Sequence, residues 1–304
     1  MNNNNFFFTI AIPTFNRKDI LEKNLELIFS SIKNTPDKIE ILVIDDCSTD
    51  QTKKLLEDYK KIYKEKFNFF ISEKNNGIAK TRNLLVEKSQ GNYIIFIDSD
   101  VFVTKETIKA HIDFHKKYNN YICQGNLNFI SNLNDLNKIK KSILTDYSNS
   151  FFDTANLSIK KELIVKVGLF DENFTGYGWE DLELGIRLKK IGIKSKKNKK
   201  ALAYHYHNET FKDLNLLIEK EKQRAIGGKY FLKKHNMLEV KLMVQDTYIH
   251  KLVNTLINYI FNFDKPSFLE KLMILEKINI TKFNFLLKIY LNHITIKELE
   301  NNKK

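Results

Sequence analysis

The chain has 304 residues, 42% of them hydrophobic with 23 Phe and 13 Tyr, which excludes a disordered protein and leaves one large α/β domain, alone or with a smaller partner. Cys47 and Cys123 lack metal-ligand spacing and are too few for a disulfide framework, so a reducing compartment is expected. The net charge of +13 is uneven: residues 1–181 balance 25 Lys and Arg against 25 Asp and Glu, whereas residues 182–304 carry 25 against 12, a gradient that would steer an anionic partner to one side.

The N-terminal Met1–Phe8 stretch has neither the positive n-region nor the small-residue cleavage site of a signal peptide. No run approaches the roughly 18 apolar residues that a membrane span requires. A soluble, cytoplasmic protein is expected, with peripheral attachment to the inner face of a membrane left open.

The apolar run 6–12, ending at Pro13, reads as a buried first strand of a parallel sheet. Residues 19–32 carry an apolar helical face, and 39–44 form a second buried strand that runs into Asp45-Asp46-Cys47-Ser48-Thr49-Asp50. Thr49 or Asp50 is the expected cap of a helix extending to about residue 63. A third strand at 67–72, a helix through Val86 and a fourth strand at 93–97 follow. This alternation predicts a doubly wound, mostly parallel sheet whose ligands gather at the carboxyl ends of its strands. Those ends carry Thr14-Phe15-Asn16-Arg17, Asp45-Asp46 and Asp98-Ser99-Asp100.

Further along, 103–117 is predicted helical, 121–130 extended, 126–150 a surface excursion, 151–159 a strand and 160–168 a short helix. A helix from about Glu180 stops before Gly192. The Lys-rich run 194–200 is expected to be a solvated loop, or else a contact for anionic lipid head groups, and it leads into a strand at 201–205. From about 211 the chain reads as helices, with starts at Pro266-Ser267 and Thr281. The apolar residues between 240 and 262 recur at helical spacing and are expected to be core rather than a membrane anchor.

Two acidic motifs carry the chemistry. Asp98 and Asp100 close a buried strand, where two carboxylates would hold Mg²⁺ or Mn²⁺ and leave positions open for diphosphate oxygens. The Gly176–Asp181 stretch would place a general base beside a flat aromatic ring. Asp45 and Asp46 are read either as helix caps or as acceptors for a base imide or a ribose hydroxyl. Arg17 and Arg82 are the cations best placed for a nucleotide, and a solvated arginine is the bland alternative for each. Together the motifs suggest metal-dependent transfer from a phosphorylated donor to a hydroxyl, glycosyl transfer fitting best.

The segments Ile12–Arg17, Val43–Asp50, Asn76–Asn83 and Phe96–Asp100, with Thr154–Ser158 and Gly168–Glu172, resemble in order the motifs of family 2 inverting glycosyltransferases of the GT-A fold. Gly176–Leu188 resembles the galactosyltransferase-type C-terminal module of bacterial capsule polymerases. The likeness covers about residues 8–210. It implies a Rossmann-like, mostly parallel sheet flanked by helices and then a helical extension. The implied domains are 1–210 (1–102 binding nucleotide, 103–210 binding acceptor) and 211–304.

Carried over by position, the resemblance implies a nucleotide pocket, usually for uridine, lined by Pro13, Thr14, Arg17, Asp45 or Asp46, Gly77, Arg82 and Asp98. It implies Asp98 and Asp100 at the metal, with His205 or His207 completing its shell and His205 favoured. Asp181 would be the base, Glu180 would orient sugar hydroxyls, Trp179 would stack on a sugar face, and Asn156 and His207 would contact substrate. Acceptors in such enzymes are saccharides or lipid-linked sugars. Cys47 stands where the family usually has Gly, Thr81 where Ala is usual, and Trp179 where Gly is frequent. A buried anchor is the bland reading of Trp179, and strand alternation that of the two histidines. Nucleotidyl transfer is the runner-up, although Pro13–Lys18 lacks a glycine-rich phosphate loop. A basic nucleic-acid-binding module is the non-enzymatic alternative, and no nucleic acid is expected because the charge is absent from 1–181 and no recognition motif occurs.

Overall fold

The structure, a computed structural model, describes residues 6–132, 151–206 and 214–301. It divides into two compact units. One comprises Met1–Asn173 and Glu180–Thr210, the other Phe174–Trp179 and Phe211–Lys304.

The first unit is built on β1 (Phe7–Thr14), α1 (Lys18–Ile32), β2 (Lys38–Asp45), α2 (Thr52–Tyr63), β3 (Phe67–Ile71), α3 (Ile78–Lys88), β4 (Tyr93–Ile97) and β5 (Val101–Val103). It continues through α4 (Thr107–Lys117), β6 (Tyr121–Ile130), β7 (Asn156–Lys160), α5 (Lys161–Lys166), α6 (Glu180–Lys190) and β8 (Lys194–Tyr206). The strands form one sheet in the order β3-β2-β1-β4-β7-β6-β8-β5. The first four are parallel, while β7 runs antiparallel to β4 and β6.

The continuous apolar runs of β1, β2 and β4 arise because both faces of the sheet are covered. Phe8, Ile10 and Ile12 pack into one cluster with Leu21, Leu25 and Ile28 of α1. Ala11, Leu42, Ile44, Ile94 and Phe96 pack into a second with Leu85 of α3 and Leu184 of α6. The chain leaves β1 toward β2 and β3 and then returns to β4 on the other flank. This switch point opens a crevice between the carboxyl ends of β1 and β4.

Two expectations for this unit are corrected. The strand predicted over 151–159 is confined to β7, so Asp153 and Thr154 lie before it. The Lys-rich run is not a loop but the first half of β8. Lys194–Lys197 pair with Tyr121–Gln124, whereas β5 pairs only with Ala203–His205 on the other side. Lysines suit such a half-exposed edge because their charge discourages pairing with another chain. Lys196 also lies 4.5 Å from the centre of the Tyr118 ring.

The second unit holds α7 (Leu214–Lys234), α8 (Leu238–Met243), α9 (Tyr248–Phe261), α10 (Pro266–Ile278) and α11 (Ile280–Asn301). Pro266 stands in the first turn of α10, where its missing N–H costs nothing. The core of this unit gathers Phe263, Leu272, Phe283 and Leu287. The stripe predicted to be core between 240 and 262 is interrupted before Thr247, whose side chain caps α9, and no residue of α9 is buried.

Candidate active site

The turns after β1 and β2 are bolted together by their own polar side chains. Asn16, held at φ 50°, accepts from Thr49 N at 2.7 Å and donates its own N–H to Ser48 Oγ at 2.7 Å. Asp50 takes Lys18 N at the start of α1 and Thr52 N at the start of α2, so one carboxylate caps two helices. Burial works against its charge, but these bonds prevail and hold it below the usual carboxylate range. Cys47 sits at φ 69°, in the left-handed region that favours glycine.

The paired acids after β2 have separate tasks. Both oxygens of Asp46 are engaged at 2.9 Å by the backbone N–H groups of Asn76 and Gly77. Gly77, at φ 83°, then opens α3. Asp45 Oδ1 accepts from Ser48, while its buried Oδ2 has no partner among the described residues. Burial raises the Asp45 carboxyl above its ordinary range. Beside it in register, the Thr14 hydroxyl is also buried without a partner, and Pro13 is a buried member of β1.

Asp98, Ser99 and Asp100 form the turn between β4 and β5. Asn24 of α1 donates to the Asp98 carbonyl at 3.1 Å, and Tyr206 N donates to that of Asp100 at 2.9 Å. The β5–β8 register sets His205 opposite Val101, which brings its Nε2 to 3.4 Å from Asp100 Oδ1. Arg17, whose side chain is 45% exposed, pairs with Asp100 Oδ2. Burial would raise the Asp100 carboxyl, but His205 and Arg17 outweigh it and bring it to about 2. Burial likewise disfavours the His205 cation, but Asp100 prevails and raises its pKa. His207 lies outside the described residues. Among the described residues, no group of three or more His, Cys, Asp or Glu side chains converges as a ready metal cage.

Arg82 is the centre of the site. Its guanidinium pairs with Glu180 at the start of α6 and lies 3.3 Å from Asp98 Oδ1. It also stands 5.9 Å from the centre of the Phe170 ring. Burial opposes its charge, yet Asp98, Glu180 and Asp181 outweigh that cost and raise its pKa, so it remains a cation. One buried arginine thereby joins two acidic motifs far apart in sequence. Asn83, one residue on, grips the 168–172 segment: it accepts from Phe170 N at 2.8 Å and donates to Phe170 O at 2.9 Å.

Asp181 is partly buried, and its carboxyl is pushed up to about 8, first by burial and then by the charges of Glu180 and Asp153. Asp153 also acts on His205. Sequence reasoning missed Asp153, although it immediately precedes the quoted Thr154–Ser158 segment.

Two expected substrate contacts are engaged within the protein. Trp179 is 6% exposed and belongs to the second unit, where its indole N–H donates to Arg224 O at 2.7 Å and the Arg224 guanidinium lies 5.0 Å from its ring centre. That is an anchor rather than an open platform, because indole burial goes with a satisfied N–H. Asn156 is spent on the core: its side chain bonds Ala201 O at 2.9 Å, Asn126 O at 3.2 Å and His111 at 2.9 Å. A Cβ at Gly125 would come within 2.2 Å of it, which explains the glycine there. Burial lowers His111 to about 4 and His115 to about 3, so both are neutral packing groups.

The sequence profile described as glycosyl transferase family 2 matches residues 9–170, more than half of the chain. The chain belongs to glycosyl transferase family 2. A second profile, described as the N-terminal domain of galactosyltransferase, matches residues 137–212. An uncharacterized glycosyltransferase of Bacillus subtilis, YfnE, is 25% identical over 254 residues, covering 65% of this chain and 64% of that protein. TarS of Staphylococcus aureus, a poly(ribitol-phosphate) beta-N-acetylglucosaminyltransferase, is 35% identical over 116 residues, covering 36% of this chain and 19% of TarS. The chain thus spans less than two thirds of either relative.

The crystal structure of TarS residues 1–349 in complex with UDP-GlcNAc superposes with a TM-score of 0.52 at 19% identity, covering 73% of this chain and 66% of that one. The mannosyltransferase PcManGT of Pyrobaculum calidifontis, in complex with GDP-Man and Mn²⁺, gives 0.63 at 13% identity, covering 99% and 89%. These neighbours share the GT-A fold, as expected from the sequence.

Proposed function

We propose that the chain is a metal-dependent, inverting glycosyltransferase that moves a hexose or N-acetylhexosamine from a UDP-sugar to a hydroxyl of a saccharide or lipid-linked acceptor in surface polysaccharide synthesis. The observation that carries the reading is the buried Asp98–Arg82–Glu180 bridge, which draws the strand-end acids and the Asp181 helix into one site. Family membership and the N-acetylglucosaminyltransferase named among its relatives support the reaction class. The sequence relation to TarS, 35% identical over 116 residues, together with the UDP-GlcNAc in a TarS complex, supports UDP as the donor nucleotide.

On this reading Thr14 Oγ1 and Asp45 Oδ2, both buried and unpartnered, meet the nucleoside, Asp45 accepting from the base imide. Such orphaned polar atoms are rare in native proteins, and their position at adjoining strand ends suits a polar ligand. Residues 1–102 would bind the nucleotide and 103–210 the acceptor, with 211–304 as a helical extension. Asp100 and His205 present a carboxylate and an imidazole side by side, a donor set that fits Mn²⁺ or Mg²⁺ with the remaining positions left to donor oxygens. A divalent cation there would neutralise the charge growing on the diphosphate leaving group. Arg17, half exposed, would turn from Asp100 to a phosphate.

Glu180 Oε2, buried and unpartnered, would accept from a sugar hydroxyl while Arg82 fixes the other oxygen. Asp181 would take the acceptor hydroxyl's proton as its oxygen bonds the anomeric carbon. The bond from that carbon to the diphosphate breaks, and the electron pair departs with UDP, inverting the centre. A carboxyl near 8 is poised for this task at neutral to mildly basic pH.

The test is UDP release from a panel of UDP-hexoses and UDP-N-acetylhexosamines with Mn²⁺ and saccharide acceptors. Turnover of at least one UDP-sugar, abolished by chelation, is expected. Turnover of GDP- or CMP-sugars alone would refute the donor assignment.

A further inference from the structure

Past Lys197 the strand β8 leaves its ladder. Gln124 pairs with Lys197 and Asn126 with Leu202, so β8 uses five residues where β6 uses two. The extra residues form a bulge pinned to α4: Asn198 donates to Ala110 O at 2.9 Å and accepts from Lys200 N at 3.2 Å. Between the bulge and the last two turns of α4 lies a cleft of about 320 Å³, lined by Phe114, Lys117, Tyr118, Lys196, Lys197 and Lys200.

The charge of this cleft has one sign. Asp113, the acid on its wall, is already paired with Lys109. No acid occurs in 114–127 or in 189–203, and among the described residues Lys117, Lys196 and Lys200 have no carboxylate partner. Lys196 donates to the Tyr118 hydroxyl at 3.1 Å and stands 4.5 Å from the centre of that ring, with Lys117 at 5.4 Å from the same centre. The negative face of one ring thus gathers two cations against their mutual repulsion. The hydrogen bond from Lys196, helped by Lys117, also holds the phenol below its ordinary range.

Protection of a strand edge accounts for lysines, but not for the bulge or the cleft it closes against α4. A cleft lined by one sign of charge concentrates the opposite ion. Its concave shape between a helix and a strand does not suit a flat membrane. Single-stranded nucleic acid binds on aromatic platforms where bases stack, and the face of Tyr118 is taken by ammonium groups. A sugar unit carrying a carboxylate or a phosphate needs no such platform, and the volume falls within the range of about 300–1,000 Å³ usual for ligand pockets. The same strand leads to the active site: His205 lies opposite Phe129, five β6 residues beyond Gln124, or about 17 Å.

We propose that the cleft between α4 and the β8 bulge holds an acidic sugar unit of an anionic glycan chain, and that such a chain is the acceptor. The role as acceptor rests on the transfer reaction proposed above, whereas binding to the cleft is measured without turnover.

Fluorescence anisotropy of labelled oligogalacturonate and phosphorylated dextran with the full chain tests it, against neutral maltodextrin and single-stranded DNA of similar length. At least one acidic glycan should bind at least tenfold more tightly than the neutral one. Lys196→Gln combined with Lys200→Gln should lose at least tenfold in that affinity while keeping the thermal unfolding midpoint. Lys194→Gln combined with Lys199→Gln, on the same strand but outside the cleft, should lose less than twofold. Equal losses in the two double variants, binding of neither acidic glycan, or tighter binding of the DNA would each overturn the cleft assignment. Glycan binding at the cleft together with transfer to neutral acceptors alone would overturn the acceptor role.

Discussion

Asp181→Asn is expected to lose at least two to four orders of magnitude in transfer rate while becoming more resistant to heat than the parent protein. The loss follows from removing a general base, whose usual contribution is about 10²–10⁴-fold. The gain follows from proton linkage. The Asp181 carboxyl titrates near 3.8 when unfolded and near 8 in the folded site, so between those values the folded state holds a proton that the unfolded state releases. Stability is therefore lost as pH rises through that window. Asparagine cannot ionise and escapes the loss, so the two unfolding midpoints should separate progressively from pH 4 to pH 8. In the parent, kcat/KM should climb about tenfold per pH unit up to about 8 and then level off. A variant that turns over normally, or one no more stable at pH 8 than at pH 5, would remove Asp181 from its proposed role.

Replacing Arg82 should have the largest effect on folding of any change at the site. Arg82→Ala strips the buried Glu180 of its partner and leaves Asp98 without its cation, and breaking a buried ion pair from one side costs about 3–5 kcal/mol. Lysine restores the charge but not the two-pronged geometry, so Arg82→Lys should recover only part of the stability. Pairing Arg82→Met with Glu180→Gln removes both members and should cost clearly less than the sum of the two single changes. Chemical denaturation of the parent, Arg82→Met, Glu180→Gln and the double variant measures this directly. Additive losses would mean that the bridge is not a coupled unit.

The parts of the fold legible in the sequence are those whose pattern is dictated by burial on two sides. The apolar runs of β1, β2 and β4 declare a covered parallel sheet, and its strand ends can be located from the polar residues that follow. The family motifs name Arg82, Asp98, Glu180 and Asp181, but only the folded chain shows that the Arg82 guanidinium joins the two acidic motifs through Asp98 and Glu180. Asp46 and Asp45 are indistinguishable as neighbours in sequence. They separate once the turn at Asn76-Gly77 closes onto Asp46 and leaves an oxygen of Asp45 unpartnered.

Where the structure adds to the sequence, the missing information was the partner surface. Trp179 beside an acidic pair looks like a sugar platform until Arg224 and Phe231 enclose it. The periodicity of α9 is that of a core helix, and nothing in that periodicity tells which side faces out. The inward role goes to Asn254 and Asn258, residues that a hydrophobic pattern treats as surface. Likewise the lysines of β8 suggest a loop because strand alternation is masked where the edge is half exposed.

The most direct test of the central claim is calorimetric binding of UDP, with and without Mn²⁺, to the parent protein and to Asp100→Asn, with GDP, CMP and ADP as comparisons. The account predicts selective UDP binding that Mn²⁺ strengthens in the parent, and loss of the Mn²⁺ effect in Asp100→Asn. Binding of UDP that ignores both Mn²⁺ and the substitution, or no preference among the four nucleotides, would contradict it.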